Sequence, residues 1–237
     1  MPEIHRYALE EKRWWNSVAD AYSKNVESEG SKGFTVRDKV LNPCLFSALG
    51  NVQGKRILDY GCGDGWLVKN LSEKGADVSG VDISDKFIEI AQKKHPGLKF
   101  KVVDVDKVDF PDKYFDIVIS NIVLNVTRFY REVLSETYRV LKPGAVAIVV
   151  IMHPDLYKKK MINPDLEEES FEIKVSGAVP VLYHKRKLSI YERAFSELGF
   201  QIINRLDCLA DTSLGEEFQK YAKNPYFVLY RLQKDKA

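Results

Sequence analysis

The sequence is short of cysteine, of net charge and of long apolar runs. Its 237 residues include three widely separated cysteines, Cys44, Cys62 and Cys208, and carry a formal net charge of only +2. This odd, unpaired spacing matches neither a zinc site nor a disulfide framework, so we expect no metal, no disulfide and a reducing, cytoplasmic location. The small net charge favours neither nucleic acid nor an anionic membrane as a partner. The chain also offers no segment of signal-peptide or membrane-spanning length.

Between residues 57 and 150, short β-branched runs alternate with longer amphipathic segments. This alternation predicts an α/β fold with a mostly parallel sheet and helices on both faces. Two further strands, predicted at 200–208 and 226–232, are expected to close the sheet as an antiparallel pair. The other predicted strands are 56–60, 77–81, 99–103, 115–120 and 144–152, and the predicted helices between them are 66–74, 84–95 and 127–141.

The two flanks of this core have different patterns. Residues 7–28 and 35–49 are predicted to be helical, whereas 154–180 show no regular period and are expected to form an insertion over the sheet edge. A further amphipathic helix is predicted at 188–198. We therefore expect a single domain, residues 1–237, in four parts: a helical lid at 1–50, a ligand-binding core at 55–152, an insertion on the substrate side at 153–187, and a closing helix and strands at 188–237.

A glycine-rich turn connects the first predicted strand to a helix. Gly61, Gly63 and Gly65 permit a tight turn that a ligand can approach closely, and amide groups at the helix start can donate to an anionic group. Asp82 ends the next predicted strand, where a carboxylate can accept hydrogen bonds from two ribose hydroxyls. A dinucleotide fingerprint needs glycine or alanine at the position of Trp66, which disfavours a nicotinamide cofactor and a dehydrogenase. The pattern therefore predicts a ligand that contains adenosine but is not a nicotinamide dinucleotide.

Five segments of the core follow one another at 59–65, 78–84, 103–105, 115–121 and 139–144. In this order they resemble the motifs of class I S-adenosylmethionine-dependent methyltransferases, in particular the small-molecule type 11/12 families. The resemblance covers roughly residues 55–152. It implies a Rossmann-like, doubly wound, mostly parallel sheet of seven strands with one antiparallel closing strand. It also implies S-adenosylmethionine as the cofactor and S-adenosylhomocysteine as its product.

The resemblance assigns cofactor contacts to individual residues. Asp82 would bind the ribose, and the following Ile83 would pack on the adenine. The Asp104 side chain and the backbone amide of Val105 would bind the edge of the adenine ring. Asn121, at the end of the fourth strand, would lie under the methionine part.

Further cofactor contacts are expected at the turn and at the lid. Asp59 would either orient the ammonium group of the cofactor or brace the turn. The remaining expected contacts are Gly61, Cys62 and Gly63 of the turn, with Cys62 contributing its backbone amide, and Tyr22 and Arg37 of the lid, which would reach the methionine carboxylate.

The implied reaction is in-line displacement at the activated methyl group, which needs positioning and, for some acceptors, a general base. His153, after the fifth strand, and His184, before the helix at 188–198, are the candidates, because histidine titrates near neutral pH. For each, the alternative is a structural hydrogen bond. The stretch at 120–125 lacks the two prolines typical of enzymes that methylate the amino groups of nucleic-acid bases, which disfavours such acceptors.

Three functions stay open at this stage. The leading hypothesis is a methyltransferase that acts on an oxygen or nitrogen nucleophile of a small molecule. The alternatives are a tRNA or protein methyltransferase and a catalytically silent adaptor that binds S-adenosylmethionine. The sequence leaves the oligomeric state open, with a homodimer as one option.

Overall fold

The strands and helices follow the alternating pattern of the sequence. The computed structural model describes residues 3–27, 36–104, 107–156, 168–175, 179–211, 213–214 and 216–236. The strands are β1 (Arg56–Tyr60), β2 (Asp77–Asp82), β3 (Lys99–Val102), β4 (Phe115–Asn121), β5 (Leu141–Met152), β6 (Glu168–Val175), β7 (Val179–Arg186), β8 (Phe200–Cys208) and β9 (Phe227–Lys234). The helices are α1 (Glu3–Glu27), α2 (Asn42–Leu49), α3 (Trp66–Glu73), α4 (Asp85–Lys94), α5 (Tyr130–Val140), α6 (Leu188–Glu197) and α7 (Gln219–Lys223), with a π-helical turn at Arg37–Leu41 and a 3-10 turn at Glu216–Phe218.

Seven strands form one sheet in the order β3-β2-β1-β4-β5-β9-β8. The neighbours from β3 to β5 are parallel, and β9 is antiparallel to both β5 and β8. This confirms the predicted α/β sheet with one antiparallel strand. Leu58 and Val118 belong to one hydrophobic core, and their neighbours Ile57 and Ile117 to another. The inner strands are thus buried on both faces, which explains their continuous apolar runs.

Most core elements begin and end close to their predicted positions, and local chemistry explains the ends. The predicted N-cap of α4 is confirmed, because the Ser84 hydroxyl accepts a hydrogen bond from the Phe87 amide at 3.1 Å. The helix predicted at 127–141 is shorter, since β5 begins at Leu141, three residues before its predicted start. Leu141 pairs with Phe115, and the ladder then shifts register, which places Pro143 in the irregular part.

The insertion differs from its prediction. Residues 168–175 and 179–186 form β6 and β7, an antiparallel pair in a separate two-stranded sheet. The segment 183–186, expected only to precede a helix, lies in β7. Alternating apolar residues in β6, Phe171 and Ile173, face register partners Tyr183 and Val181. Residues 157–167 and 176–178 of the expected insertion lie outside the described residues.

The prediction that the cysteines form no disulfide was wrong. A disulfide joins Cys44 on α2 to Cys208 at the end of β8, across a sequence separation of 164 residues. The two Cα atoms are 5.9 Å apart, a normal separation for such a bond. Sequence spacing could not reveal this pair, because it forms only when the N-terminal part packs against the far edge of the sheet. Cys62 is a free, buried thiol.

The N-terminal part is helical, as predicted, and α1 packs along α4. Lys12 forms an ion pair with Asp85 at 3.0 Å, and the Asn16 carbonyl accepts a hydrogen bond from the Ser84 hydroxyl at 2.6 Å. These contacts hold α1 beside the helix that follows β2. Among the helices of the described residues, none combines the length and the apolar character needed to cross a membrane.

Candidate functional site

The carboxyl ends of β1, β2 and β4 meet at one edge of the sheet, where the glycine-rich turn follows β1. The amides of Gly61 and Cys62 both donate to the Val81 carbonyl, at 2.8 and 2.9 Å. The Gly63 amide donates to the Asp82 carboxylate, and the Gly65 amide to the Cys62 carbonyl. The backbone amide of Cys62, expected to contact the cofactor, is therefore already bound within the protein. The amides of Gly61, Cys62 and Gly63 attach the tight turn to β2, and the amide of Gly65 closes it.

Glycine is required at position 61 for two reasons. Its φ angle is +79°, in the left-handed region that residues with a side chain avoid. A Cβ atom there would also overlap Cγ2 of Val123, in the loop that follows β4. The turn and this loop are consequently in contact, and they form two adjoining walls of the same cavity.

Asp82 lies at the end of β2 and is bound to the turn. Its two carboxylate oxygens accept hydrogen bonds from the amides of Gly63 at 3.0 Å and Ser84 at 2.9 Å. The side chain is buried, and burial raises its pKa to about 6. Each oxygen of a carboxylate can accept a second hydrogen bond. Asp82 can therefore brace the turn and bind a pair of ligand hydroxyls.

Asp59 lies beneath the turn, at the end of β1, and is 2% exposed. Burial, followed by the negative charges of Asp82 and Asp64, raises its pKa to about 8. Three carboxyl groups are thus close together with little solvent. Such a group favours a cationic ligand, because a positive charge would stabilise all three in their ionised forms.

We expect this burial to make the stability of the ligand-free protein depend on pH. The unfolded chain ionises Asp59 near pH 4, whereas the folded protein retains the proton up to about pH 8. The folded state binds more protons in this window, so its free energy of unfolding should fall by about 1–2 kcal/mol between pH 6 and pH 8. Urea denaturation at several pH values measures this change.

The Asp59→Asn variant is the control, because it cannot ionise and should lose most of the decline between pH 7 and pH 8. His184 does not interfere there, since its pKa is lowered to about 4 and its effect lies at lower pH. Equal pH dependence in the two proteins would contradict the assignment of the raised pKa to Asp59.

One cavity of about 400 Å³ lies at this edge of the sheet. Its volume is within the usual range for small-molecule sites. It brings together ten of the predicted cofactor residues. These are Tyr22, Arg37, Asp59, Gly61, Cys62, Gly63, Asp82, Ile83, Asp104 and Asn121. Val105 lies outside the described residues.

Neither candidate histidine lines this cavity. His153 follows β5, and its Nδ1 accepts a hydrogen bond from the Asp155 amide at 3.2 Å. His184 is buried on β7 and shares a 2.7 Å hydrogen bond with the Ser170 hydroxyl through Nδ1. Burial, followed by the charges of Arg186 and Arg128, lowers the pKa of His184 to about 4. Their positions therefore do not support the predicted role as general bases, and both make the structural contacts of the alternative interpretation.

The loop after β4, residues 122–129, was not recognised as important from the sequence. Ile122 has a φ angle of +65°, a strained conformation for a β-branched residue. Asn121 precedes it, and its buried Oδ1 has no hydrogen-bond partner among the described residues. A strained residue and an unsatisfied acceptor lie side by side on the cavity wall. This combination is typical of functional sites.

Buried side chains from the insertion hold this loop in place. The Arg186 guanidinium donates to the carbonyls of Leu124 at 2.7 Å and Thr127 at 3.3 Å, and it forms a 2.7 Å ion pair with Glu168. It also lies 4.3 Å from the centre of the Tyr130 ring. Arg186 is 1% exposed. It fixes the loop to the β6–β7 hairpin from behind.

The N-terminal helix α1 holds the same loop from the cavity side through Glu11. Its carboxylate accepts hydrogen bonds from the Thr127 hydroxyl at 2.7 Å and the Arg128 amide at 3.0 Å. Burial is the main cause that raises the pKa of Glu11. The sequence pattern of α1 gave no sign of this contact, because Glu11 lies 116 residues from Thr127.

The comparisons with known proteins agree with this site. Residues 58–149 match the family model described as a methyltransferase domain. The chain is 27% identical to malonyl-(acyl-carrier protein) O-methyltransferase of Buchnera aphidicola, over 90% of this chain and 94% of that protein. It is 29% identical to demethylmenaquinone methyltransferase of Tropheryma whipplei, over 64% of this chain and 63% of that protein.

A solved structure extends the likeness in fold. The 1,6-didemethyltoxoflavin-N1-methyltransferase of Burkholderia thailandensis, crystallised with 1,6-didemethyltoxoflavin and S-adenosylhomocysteine, superposes with a TM-score of 0.67. The match covers 99% of this chain and 92% of that one, at 16% identity.

The sheet order, the turn and the acids define an α/β protein with a nucleotide-type cofactor site at the carboxyl edge of its strands. With the match at residues 58–149 and these relatives, the chain is a methyltransferase. The turn and the acids favour S-adenosylmethionine as its methyl donor. The predicted methyltransferase activity is thereby confirmed.

Proposed function

We propose that the enzyme methylates an oxygen or nitrogen nucleophile of a small molecule inside the cavity described above. The observation that carries this proposal is the continuity of that cavity. Acidic residues at the carboxyl ends of β1 and β2 line one part of it, and apolar residues from the lid, the loop after β4, the insertion and the C-terminal part line the rest. The apolar residues include Trp15, Val126, Ile173, Val181, Tyr226 and Phe227.

Within this proposal the acids hold the cofactor. Asp82 binds the ribose hydroxyls and Ile83 packs on the adenine, whose edge meets the exposed Asp104. Asp59 and the Asn121 carbonyl face the cationic methionine part. Gly61, Cys62 and Gly63 shape the turn that contacts the cofactor. The remaining assigned contacts are Val105 after β3, and Tyr22 and Arg37 from the lid.

Arg37 is well placed to serve the methionine carboxylate. Its guanidinium lies 5.0 Å from the centre of the Trp66 ring, and both residues line the cavity. Stacking on an aromatic ring orients a guanidinium without removing its hydrogen-bond donors. The bulky Trp66, which disfavoured a dinucleotide, would thus help to position a contact to the amino-acid part.

The chemistry requires little from protein side chains. The leaving thioether is neutral and the methyl group is already activated, so alignment and exclusion of water supply most of the catalysis. Among the described residues that line the cavity there is no histidine. An acceptor that is already ionised near neutral pH would need no base, which fits this lining. One relative is named as an O-methyltransferase, which supports an oxygen acceptor.

The alternatives of a tRNA or protein methyltransferase and of a silent adaptor make different predictions. The test incubates the protein with methyl-labelled S-adenosylmethionine and separate fractions of metabolites, tRNA and protein. We expect label in the metabolite fraction, identified by mass spectrometry. Label in tRNA or protein alone would overturn the small-molecule proposal. Binding of S-adenosylhomocysteine without transfer to any fraction would favour the adaptor.

The proposal also includes a cytoplasmic location, with a monomer and a homodimer both compatible with it. The cysteine pair provides a test of the location. In a reducing compartment Cys44 and Cys208 would be two thiols, and alkylation of freshly lysed cells should label both. Protection of the pair from alkylation would contradict a cytoplasmic location.

A further inference from the structure

The charged residues of the cavity are unevenly distributed. Its aspartates belong to the turn and to the ends of the cofactor strands. A lysine, Lys174, lies instead on β6 of the insertion, next to the buried Ile173 and opposite Pro180 in the hairpin. Among the described cavity residues, the other cationic side chain is Arg37 of the lid.

Lys174 is exposed and forms no ion pair or hydrogen bond with any residue that the structure describes. Many other lysines are paired, which shows that acids are not scarce on this surface. Examples are Lys12 with Asp85, Lys69 with Glu73, Lys94 with Asp64, Lys99 with Asp77 and Lys142 with Asp116. An unpaired ammonium beside apolar walls attracts an anion more strongly than one surrounded by water.

The apolar residues nearest in the chain complete the site. Ile173 and its register partner Val181 line the same cavity, and so do Tyr221, Tyr226 and Phe227 from the C-terminal part. These side chains offer a surface for an aliphatic or aromatic body. Since Arg37 is assigned to the methionine carboxylate, Lys174 is the cation that is left for the acceptor.

We propose that the acceptor is an amphipathic anion, whose apolar body lies against the apolar wall of the cavity and whose carboxylate pairs with the exposed Lys174. This inference rests on the proposed function, since it concerns the acceptor part of the same cavity. It names a substrate class and makes Lys174 a specificity residue. A neutral analogue would lose the ion pair, and an amine would be repelled.

The test compares two probes that differ only in the head group, 4-phenylbutyrate and 4-phenylbutan-1-ol. Each is titrated into protein saturated with S-adenosylhomocysteine, and binding is measured by calorimetry. We expect the carboxylate to bind about tenfold more tightly than the alcohol, a normal difference for one charge-assisted hydrogen bond at a partly exposed site. Added salt should reduce this preference.

Variants test whether the Lys174 side chain causes the preference for the carboxylate probe. Lys174→Met should bind both probes equally well, and Lys174→Arg should retain the preference for the carboxylate. Lys69→Met is the matched control, because Lys69 is an exposed lysine on α3 outside the cavity, and it should behave as the unmodified protein. Because Lys174 is exposed and unpaired, its replacement is not expected to affect folding.

The outcomes separate this inference from the function on which it depends. Failure of S-adenosylhomocysteine to bind would contradict the proposed cofactor residues before either probe is added. If it binds, equal affinity for the two probes, no detectable binding of either, or a preference that persists in Lys174→Met would each overturn the amphipathic-anion proposal alone.

Discussion

Replacing Asp82 by alanine is expected to weaken the binding of S-adenosylhomocysteine by a factor of about 100 or more. Two hydroxyl groups that donate to one carboxylate form charge-assisted hydrogen bonds, each of which contributes about 1.5–3 kcal/mol. A factor of ten in affinity corresponds to about 1.4 kcal/mol. Even the lower value for both bonds together, about 3 kcal/mol, therefore corresponds to a loss of affinity by a factor of about 100. Isothermal titration calorimetry measures the change directly.

Asp77→Ala is the matched control, since Asp77 lies at the other end of β2 and outside the cavity, where it pairs with Lys99 on the surface. It should bind the cofactor normally. Asp82→Asn tests the loss of charge at constant volume, and its single amide oxygen can accept from only one of the Gly63 and Ser84 amides. Thermal unfolding without ligand shows whether the turn survives. Normal affinity in a folded Asp82→Ala protein would contradict the ribose assignment.

Replacing Arg186 by methionine should lower the free energy of unfolding by about 2–3 kcal/mol, since each buried acceptor that loses its donor costs about 1–3 kcal/mol. The variant leaves the Thr127 carbonyl without this donor and the Leu124 carbonyl with only the longer contact to the Tyr191 hydroxyl at 3.4 Å. Urea denaturation measures the loss. Because Arg186 holds the loop that carries the strained Ile122, cofactor affinity of the folded fraction should also fall.

Arg131→Met provides the comparison. Arg131 also pairs with a glutamate, Glu197 at 2.7 Å, but both side chains are about half exposed. Surface pairs of this kind contribute about 1 kcal/mol or less. Arg186→Lys should recover part of the stability, since it keeps the charge but not the fork of donors. Similar losses for Arg131→Met and Arg186→Met would show that Arg186 does not organise the loop.

The core could be predicted because its signals are local in the chain. Strands buried on both faces are largely apolar, as in β1 and β4, and the Ser84 hydroxyl is an N-cap of α4 that the sequence alone indicates. The acids at 59, 82 and 104 lie within two residues of the ends of their strands, so parallel pairing brings them to one edge. The cofactor part of the cavity follows from these features alone.

The acceptor part could not be predicted, because it depends on contacts between distant segments. Glu11 accepts a hydrogen bond from Thr127, and Arg186 donates one to Leu124. Lys174 lines the cavity because β6 and β7 form a hairpin, and the alternating apolar residues of β6 were not interpreted as a strand. The two histidines illustrate the opposite error. Their residue type suggested chemistry, but His184 is directed toward Ser170 and not toward the cavity.

Whenever Cys44 and Cys208 are joined, most of this enzyme is a covalent ring. The strands from β1 to β8 lie inside it, and the described elements in its two tails are α1, the π-helical turn, the start of α2, the 3-10 turn, α7 and β9. Closing a ring of this size removes about 5 kcal/mol of chain entropy from the unfolded state in the usual polymer model. Since β9 lies between β5 and β8, the C-terminal tail outside the ring joins two strands that lie inside it, and β8 reaches the sheet only through that tail.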